Sequence, residues 1–173
     1  TLLYQTHARV HLQNIRSNIE GIRRAVGDQR LILIAVKANA YGHGAVEVSR
    51  MAQKIGVDWL GVATVPEAIE LREAGITLPI LKFSPAFPEE MNAAISNDTT
   101  LTVCDRENIK ILNQIAGENN RTINVHLKVD TGMGRIGVAP RLDHAALSKY
   151  QGEVRYGPWE AMTRALARTW DLS

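Results

Sequence analysis

The sequence predicts an α/β fold of the (β/α)8 TIM-barrel type, apparently incomplete, with about five βα units visible. Three observations carry this prediction. Short apolar runs alternate with amphipathic helical patterns, the units recur at roughly twenty- to thirty-residue spacing, and the last run alternates apolar with polar residues. An open doubly wound sheet also satisfies the first two observations. In both architectures, chemistry lies at the carboxyl ends of the parallel strands.

Five apolar runs have the length of strands: LILIAV at 31–36, WLGVA at 59–63, LPILKF at 78–83, LTVC at 101–104 and INVHLKV at 123–129. In the fifth run, apolar residues predicted to face helices alternate with Asn124, His126, Lys128 and Asp130. A doubly wound sheet is covered on both faces and prefers continuous apolar runs. A barrel with a polar ligand in its lumen accepts such alternation, so the barrel is favoured.

Helical patterns separate these runs. Apolar residues spaced by three or four predict a helix from Leu12 to Val26 and another from Ala45 to Ile55. Thr64 and Glu67 have the spacing of a capping box before the third helix, which Gly75 is expected to end.

Two further helices complete the pattern. The stretch PEEMNAAIS, with acids in its first turn, predicts a short helix after the third strand. Asp105 is predicted to cap RENIKILNQIAG, and the glycine that closes this stretch is expected to end the helix.

The length bounds the domain organisation. The chain has 173 residues, whereas a complete barrel of this type takes about 250. Residues 1–140 are therefore expected to form the amino-terminal part of a barrel. Residues 141–173 are expected to be a divergent or truncated tail, mainly helical.

Composition excludes several classes of function. A formal net charge of +2, without basic clusters, gives no reason to expect a nucleic-acid partner. No apolar run approaches the ~20 residues that span a bilayer, and no leader pattern opens the chain, so a cytoplasmic protein is expected. The single cysteine, Cys104, is interpreted as a buried strand residue, and no metal-ligand spacing is present.

Lys37 is the first candidate for chemistry, because it ends the apolar first strand. The alternative is a lysine that merely reaches water. An amine at a strand's carboxyl end, in a semi-apolar pocket, is suited to form a Schiff base with an aldehyde. Tyr41, Gly42, His43 and Gly44 follow as a turn into a helix, where backbone N–H groups are expected to approach a phosphate.

The second candidate stretch is HLKVDTGMGRIGV at 126–138. Its three glycines predict a loop after the fifth strand, with Arg135 projecting from it. The alternative is a surface arginine on a flexible turn. Lys128 shares the polar face with Asp130, which is a candidate partner for it. Arg135 is suited to bind a carboxylate or phenolate oxygen through its planar fork.

Together, AVKANAYGHG and HLKVDTGMGRIG closely resemble alanine racemase over about residues 4–138. That family uses pyridoxal 5'-phosphate on an eight-stranded barrel. The resemblance implies that Lys37 carries the cofactor and is one of two catalytic bases, and that Tyr41 binds its phosphate. It implies that Arg135 contacts the phenolic oxygen and the substrate carboxylate, and that Lys128 is carbamylated in some members and orients Arg135.

The resemblance also implies a function, interconversion of L- and D-alanine for cell-wall precursors by a homodimer. In the family, the second base is a tyrosine lent by the partner subunit, and it belongs to the part after residue 140 that this sequence lacks. Two alternatives stay open. One is a pyridoxal-phosphate-binding homeostasis protein without racemase activity, and the other is a broad-specificity or serine racemase.

Overall fold

The structure of the chain, a computed structural model, describes residues 8–138. These residues form six helical segments and five strands. Their bounds are α1 Leu12–Val26, β1 Leu33–Ala35, α2 Lys37–Gly42, α3 Ala45–Lys54, β2 Trp59–Val62, α4 Val65–Glu73, β3 Ile80–Pro85, α5 Pro88–Ser96, β4 Thr99–Val103, α6 Arg106–Glu118 and β5 Val125–Leu127. The predicted strands and helices are all present, and the tail at 141–173 lies outside the described residues.

The five strands form one parallel sheet in the order β1-β2-β3-β4-β5. Each strand therefore pairs with the strand that follows it in sequence, as shown by Leu33 opposite Trp59 and Leu60 opposite Ile80. In a doubly wound sheet, the order of the strands reverses at a switch point. The order of these five strands does not reverse. The sheet is a partial barrel, as the alternation in the fifth run predicts.

The core lies between the sheet and its helices. One apolar cluster joins α1, α3 and α4 to the first three strands, with Leu60 and Ile80 fully buried at its centre. A second cluster joins α5 and α6 to β4, around Met91 and Leu101. Side chains alternate along a strand, so the intervening residues, including Gly61 and Phe83, lie on the opposite, inner face.

Local sequence signals set the starts of α4 and α6. The Thr64 hydroxyl accepts from the Glu67 N–H, and the Glu67 carboxylate accepts from the Thr64 N–H, which completes the predicted capping box of α4. Asp105 caps α6 by accepting from the Asn108 N–H at 2.7 Å. Gly117 does not end α6, which continues to Glu118 because Asn120 supplies the left-handed conformation, with φ at 49°.

The fifth strand differs from its prediction. The alternation predicts apolar side chains packed against helices, but Val125 is 41% and Leu127 is 60% exposed. The reason is positional, because β5 is an edge strand of the described sheet and α6 already covers its neighbour β4. Cys104 also differs, since it follows β4 instead of lying within it and is only half-buried.

Among residues 8–138, none of the helices combines the length and the apolar character that crossing a membrane would require.

Candidate functional site

Lys37 lies immediately beyond β1, at the carboxyl end of the sheet where the sequence places it. Its Nζ lies 5.9 Å from the centroid of the Tyr41 ring and 6.0 Å from that of Phe83. Within residues 8–138, no carboxylate lies within ion-pair distance of this amine. In this part of the chain, the half-buried amine is therefore flanked by aromatic surface and free of an acidic partner.

The segment that follows Lys37 is a turn of left-handed helix. Four successive non-glycine residues, Ala38–Tyr41, have φ between 51° and 54° and ψ between 40° and 49°. This conformation costs L-residues roughly 1–2 kcal/mol each, so it persists only where the surrounding structure imposes it. The turn brings the Tyr41 side chain back beside the Lys37 amine and leaves it 60% exposed.

Hydrogen bonds within the turn and the start of α3 satisfy its carbonyls. The Gly44 N–H donates to the Asn39 carbonyl at 3.0 Å, and the Ala45 N–H donates to the Asn39 side-chain oxygen at 2.7 Å. The His43 N–H donates to the Ala40 carbonyl. These three N–H groups already have acceptors within the described residues, so they are not the ones that would approach a phosphate. The phosphate contact expected of Tyr41 stays a prediction.

Glu67 connects this turn to the end of β2. One carboxylate oxygen accepts from the Ala38 N–H at 2.7 Å, and the other accepts from the Ala63 and Thr64 N–H groups at 2.8 and 3.1 Å. Partial burial raises the pKa of Glu67, but the three backbone hydrogen bonds outweigh it and hold that pKa below its ordinary value. The sequence identifies Glu67 only as half of a capping box.

Phe83 forms the other wall beside Lys37. A Cβ placed on Gly61 would lie 2.0 Å from the Phe83 Cζ, so the ring occupies the space that a side chain at residue 61 would fill. Gly61 is therefore required for the ring to occupy this place beside β2 and near the Lys37 amine. No sequence signal predicts this contact, because the two residues lie on different strands.

The glycine loop after β5 is organised by Asp130. Its carboxylate accepts from the N–H groups of Gly132, Gly134 and Arg135 at 2.9 to 3.0 Å. These hydrogen bonds lower the pKa of Asp130 below its ordinary value. The loop closes where Val129 and Val138 form a parallel bridge. Asp130 therefore holds the loop from which the exposed Arg135 projects.

Lys128 is exposed on the inner face of β5 and makes no ion pair within residues 8–138, with Asp130 or with any other acid. Its charge acts on Cys104, which follows β4: burial and the adjacent Asp105 raise the pKa of the Cys104 thiol, and the Lys128 charge partly offsets both effects. The described part of the chain brings Lys37 and Tyr41 together. It shows no hydrogen bond or ion pair between either of them and Lys128 or Arg135.

A second lysine, Lys82 on β3, is only 3% exposed and is not among the residues predicted from the sequence. Its Nζ donates to the Pro85 carbonyl at 2.9 Å and lies 3.8 Å from the Glu90 carboxylate. Burial lowers the pKa of Lys82, and the charges of Glu90 and Glu67 partly oppose that shift. A lone lysine in the apolar run LPILKF, followed by acids in a first helical turn, is the signal that could have indicated it. Lys82 faces the helices and joins β3 to α5.

Fold and site together define a class of protein: a parallel barrel-type chain that presents an amine at the end of its first strand and a cationic loop at the end of its fifth. The family model "Alanine racemase, N-terminal domain" matches residues 10–156. The chain belongs to this family.

Curated relatives agree with that assignment. The chain is 51% identical to an alanine racemase of Cutibacterium acnes over 136 residues, which cover 78% of this chain and 36% of that protein. It is 45% identical to an alanine racemase of Methanococcus maripaludis over 77% of this chain and 36% of that protein. The chain spans about a third of the length of the curated relatives that it matches.

Solved structures give the same result for the fold. An alanine racemase of Clostridium difficile 630 matches with a TM-score of 0.79 and 37% identity, covering 90% of this chain and 41% of that one. An alanine racemase from E. faecalis matches with a TM-score of 0.71 and 39% identity, over 82% of this chain and 39% of that one. The partial barrel of this chain thus resembles the corresponding part of longer racemases.

Proposed function

We propose that this chain supplies the Lys37 side of the active site of a pyridoxal-phosphate-dependent alanine racemase. The observation that carries the proposal is the Lys37 amine, which lies at a strand's carboxyl end between the Tyr41 and Phe83 rings, without a carboxylate partner among residues 8–138. A buried structural lysine in this protein is paired and hydrogen-bonded, as Lys82 is. An amine beside aromatic surface is suited to covalent chemistry.

The residues present fit pyridoxal 5'-phosphate. Lys37 would hold its aldehyde carbon, the exposed Tyr41 hydroxyl would donate to its phosphate, and Arg135 would face its phenolic oxygen. The flat Phe83 ring packed against Gly61 leaves an apolar surface beside the amine, which suits an aromatic cofactor. When bound, the cofactor supplies an electron-withdrawing ring that makes the α-proton of an amino acid easier to remove.

Lys37 and Arg135 would then have separate roles in the reaction. The Lys37 amine takes or returns the proton at the substrate Cα from one face. The Arg135 guanidinium binds the substrate carboxylate with its two-pronged fork and so fixes the Cα in front of the amine. Asp130 holds the loop that carries Arg135. A carbamate on Lys128 would convert a cation into an anion and orient Arg135.

The second base, the homodimer partner and the full substrate pocket are proposed to come from outside residues 8–138. The second base is expected to be a tyrosine from the partner subunit. Tyr150 and Tyr156 lie outside the described residues and are not assigned this role. The whole protein is proposed to act in the cytoplasm and to supply D-alanine for peptidoglycan. Residues 1–140 are proposed as the cofactor-binding part of the barrel.

The test uses the purified 173-residue chain with added pyridoxal 5'-phosphate. An absorbance band near the visible edge is expected in the wild type and in Lys54→Ala, which removes an exposed lysine at the end of α3. It is expected to be absent in Lys37→Ala. A band that persists in Lys37→Ala would overturn the proposal.

Exchange of the α-hydrogen of alanine with solvent deuterium needs only the base that this chain is proposed to supply, so it separates the racemase from a binding protein. Exchange that depends on Lys37 supports the racemase, as does D-alanine production followed with a D-specific oxidase, and bound cofactor without exchange supports the binding protein. Mass analysis that finds Lys128 unmodified would remove the carbamate from the proposal.

A further inference from the structure

The left-handed turn after Lys37 needs external support at its first residue. The Ala38 N–H belongs to the peptide bond that joins Lys37 to Ala38. It is not a donor in the local hydrogen bonds between the turn and the start of α3. The next residue, Asn39, accepts the Ala45 N–H through its side-chain oxygen. At the beginning, the acceptor for Ala38 within the described residues is the Glu67 carboxylate, at 2.7 Å.

Glu67 does more here than a helix cap requires. A capping box needs one side-chain oxygen on the N-cap N–H, which is the Thr64 N–H in this case. The same oxygen also receives the Ala63 N–H, and the second oxygen reaches back to Ala38. A single carboxylate thereby joins the carboxyl ends of β1 and β2, at the peptide that links Lys37 to Ala38.

We propose that Glu67 is a positioning residue for Lys37, because its hydrogen bond to the Ala38 N–H fixes the Lys37–Ala38 peptide. This inference rests on the proposed function of Lys37. The orientation of that peptide sets the direction of the Lys37 Cα–Cβ bond and the start of the turn that carries Tyr41. Small displacements of a reacting group reduce its reactivity strongly.

Two variants separate positioning from capping. Glu67→Gln keeps one acceptor oxygen, which suffices for a capping box, but it presents an N–H₂ group where the second oxygen receives Ala38. Thr64→Ala removes the other half of the capping box and leaves the bond from Ala38 to Glu67 intact. Both variants are expected to lose some stability, so stability alone does not discriminate between them.

The first readout is the rate at which Lys37 forms a borohydride-reducible link with pyridoxal 5'-phosphate. Glu67→Gln is expected to slow this rate by about tenfold, as loss of one charge-assisted hydrogen bond predicts, while Thr64→Ala stays within about twofold of the wild type. An unchanged rate in Glu67→Gln, or an equal loss in both variants, would overturn the positioning role.

The second readout needs no cofactor. Amide hydrogen exchange at Ala38 is expected to accelerate about tenfold in Glu67→Gln and to remain near the wild-type rate in Thr64→Ala. If the wild type forms no link with pyridoxal phosphate, the proposed function fails, and exchange at Ala38 still decides whether Glu67 holds this peptide. Equal exchange rates in the wild type and Glu67→Gln would contradict the inference.

Discussion

The indole ring of Trp59 on β2 meets the imidazole ring of His126 on β5, with their centroids 5.5 Å apart. These strands are separated by β3 and β4, and three strand spacings would place them about 14 Å apart in a flat sheet. The contact therefore requires the sheet to curl toward its inner face. It is the side-chain evidence that the five strands form part of a barrel.

The first prediction concerns this contact. Because the two rings pack on each other across the curled sheet, removing either one removes the same interaction. The variants Trp59→Leu and His126→Leu are therefore expected to be non-additive in the free energy of unfolding, with a coupling of about 0.5–1.5 kcal/mol. Urea unfolding of the wild type, both single variants and the double variant measures the coupling.

A pair of residues on opposite faces of the sheet serves as a control. Trp59→Leu combined with Ile109→Ala, an exposed position on α6, should be additive because the two residues lie on opposite sides of the sheet. Additivity of Trp59→Leu with His126→Leu would contradict the curled geometry.

The second prediction concerns Gly61. A methyl group there would lie within 2.0 Å of the Phe83 ring, so Gly61→Ala must push the ring away from β2. The expected loss is about 1–3 kcal/mol in the free energy of unfolding. Phe83→Leu removes the clashing atoms, so adding Gly61→Ala to a Phe83→Leu background should cost much less. Thermal unfolding of the four proteins checks this, and equal costs in both backgrounds would show that Phe83 is not the obstacle.

The third prediction concerns the loop that carries Arg135. Gly137 has φ at 146°, and a Cβ there would lie 2.5 Å from the Asp130 backbone nitrogen. Gly137→Ala should open the bridge between Val129 and Val138, at a local cost of roughly 1–3 kcal/mol. Hydrogen exchange at the Asp130 and Val138 amides is the measurement, since both donate across this bridge.

Gly117→Ala is the control for that substitution. Gly117 is helical, and a Cβ added to it would meet no atom within 4 Å outside its own helix backbone, so alanine should stabilise α6 by about 0.5–1 kcal/mol. Unchanged exchange at Asp130 in Gly137→Ala would contradict the packing described for the loop.

The fourth prediction is a pH dependence. Hydrogen bonds from the Ile32 N–H and from Arg23 lower the pKa of Asp58 below its ordinary value of 3.8, although burial opposes them. A carboxylate with a lowered pKa stabilises the fold above its ordinary pKa, and this contribution is lost as the pH falls through the lowered value. The stability difference between the wild type and Asp58→Asn should therefore be largest near about pH 6 and shrink below about pH 3.8.

Arg23→Gln is the matched variant, because it removes the ion pair and leaves the bond from Ile32. Arg23→Gln should remove only part of the decrease in the free energy of unfolding that the wild type shows as the pH falls. Parallel stability curves for the wild type and Asp58→Asn would contradict this assignment.

Most of the fold could be predicted from the sequence because its signals are local. The period of apolar residues identifies α1, and the Thr64–Glu67 spacing identifies the start of α4, without any knowledge of the sheet. The alternation in β5 correctly favours the barrel. The exposure of the Val125 and Leu127 side chains was not predictable, because burial at an edge strand depends on which element packs beside it.

The candidate site was predictable only in part. Lys37 and Tyr41 are identifiable because they are near in sequence and follow one strand. The contact of Phe83 with Gly61 and the reach of Glu67 to Ala38 join residues that only the sheet brings together. The left-handed turn was also hidden, since alanine and tyrosine have no preference for that conformation. One tertiary hydrogen bond, from the Ala38 N–H to Glu67, and local bonds with the start of α3 support it.

Trapping the cofactor on the chain shows whether Lys37 is its point of attachment. The wild-type protein is incubated with pyridoxal 5'-phosphate, reduced with borohydride, digested and mapped by mass spectrometry. We predict that the added mass lies on the peptide that contains Lys37, and that Lys82, which is buried and hydrogen-bonded, carries none. Labelling distributed over exposed lysines, with Lys37 unmodified, would contradict it.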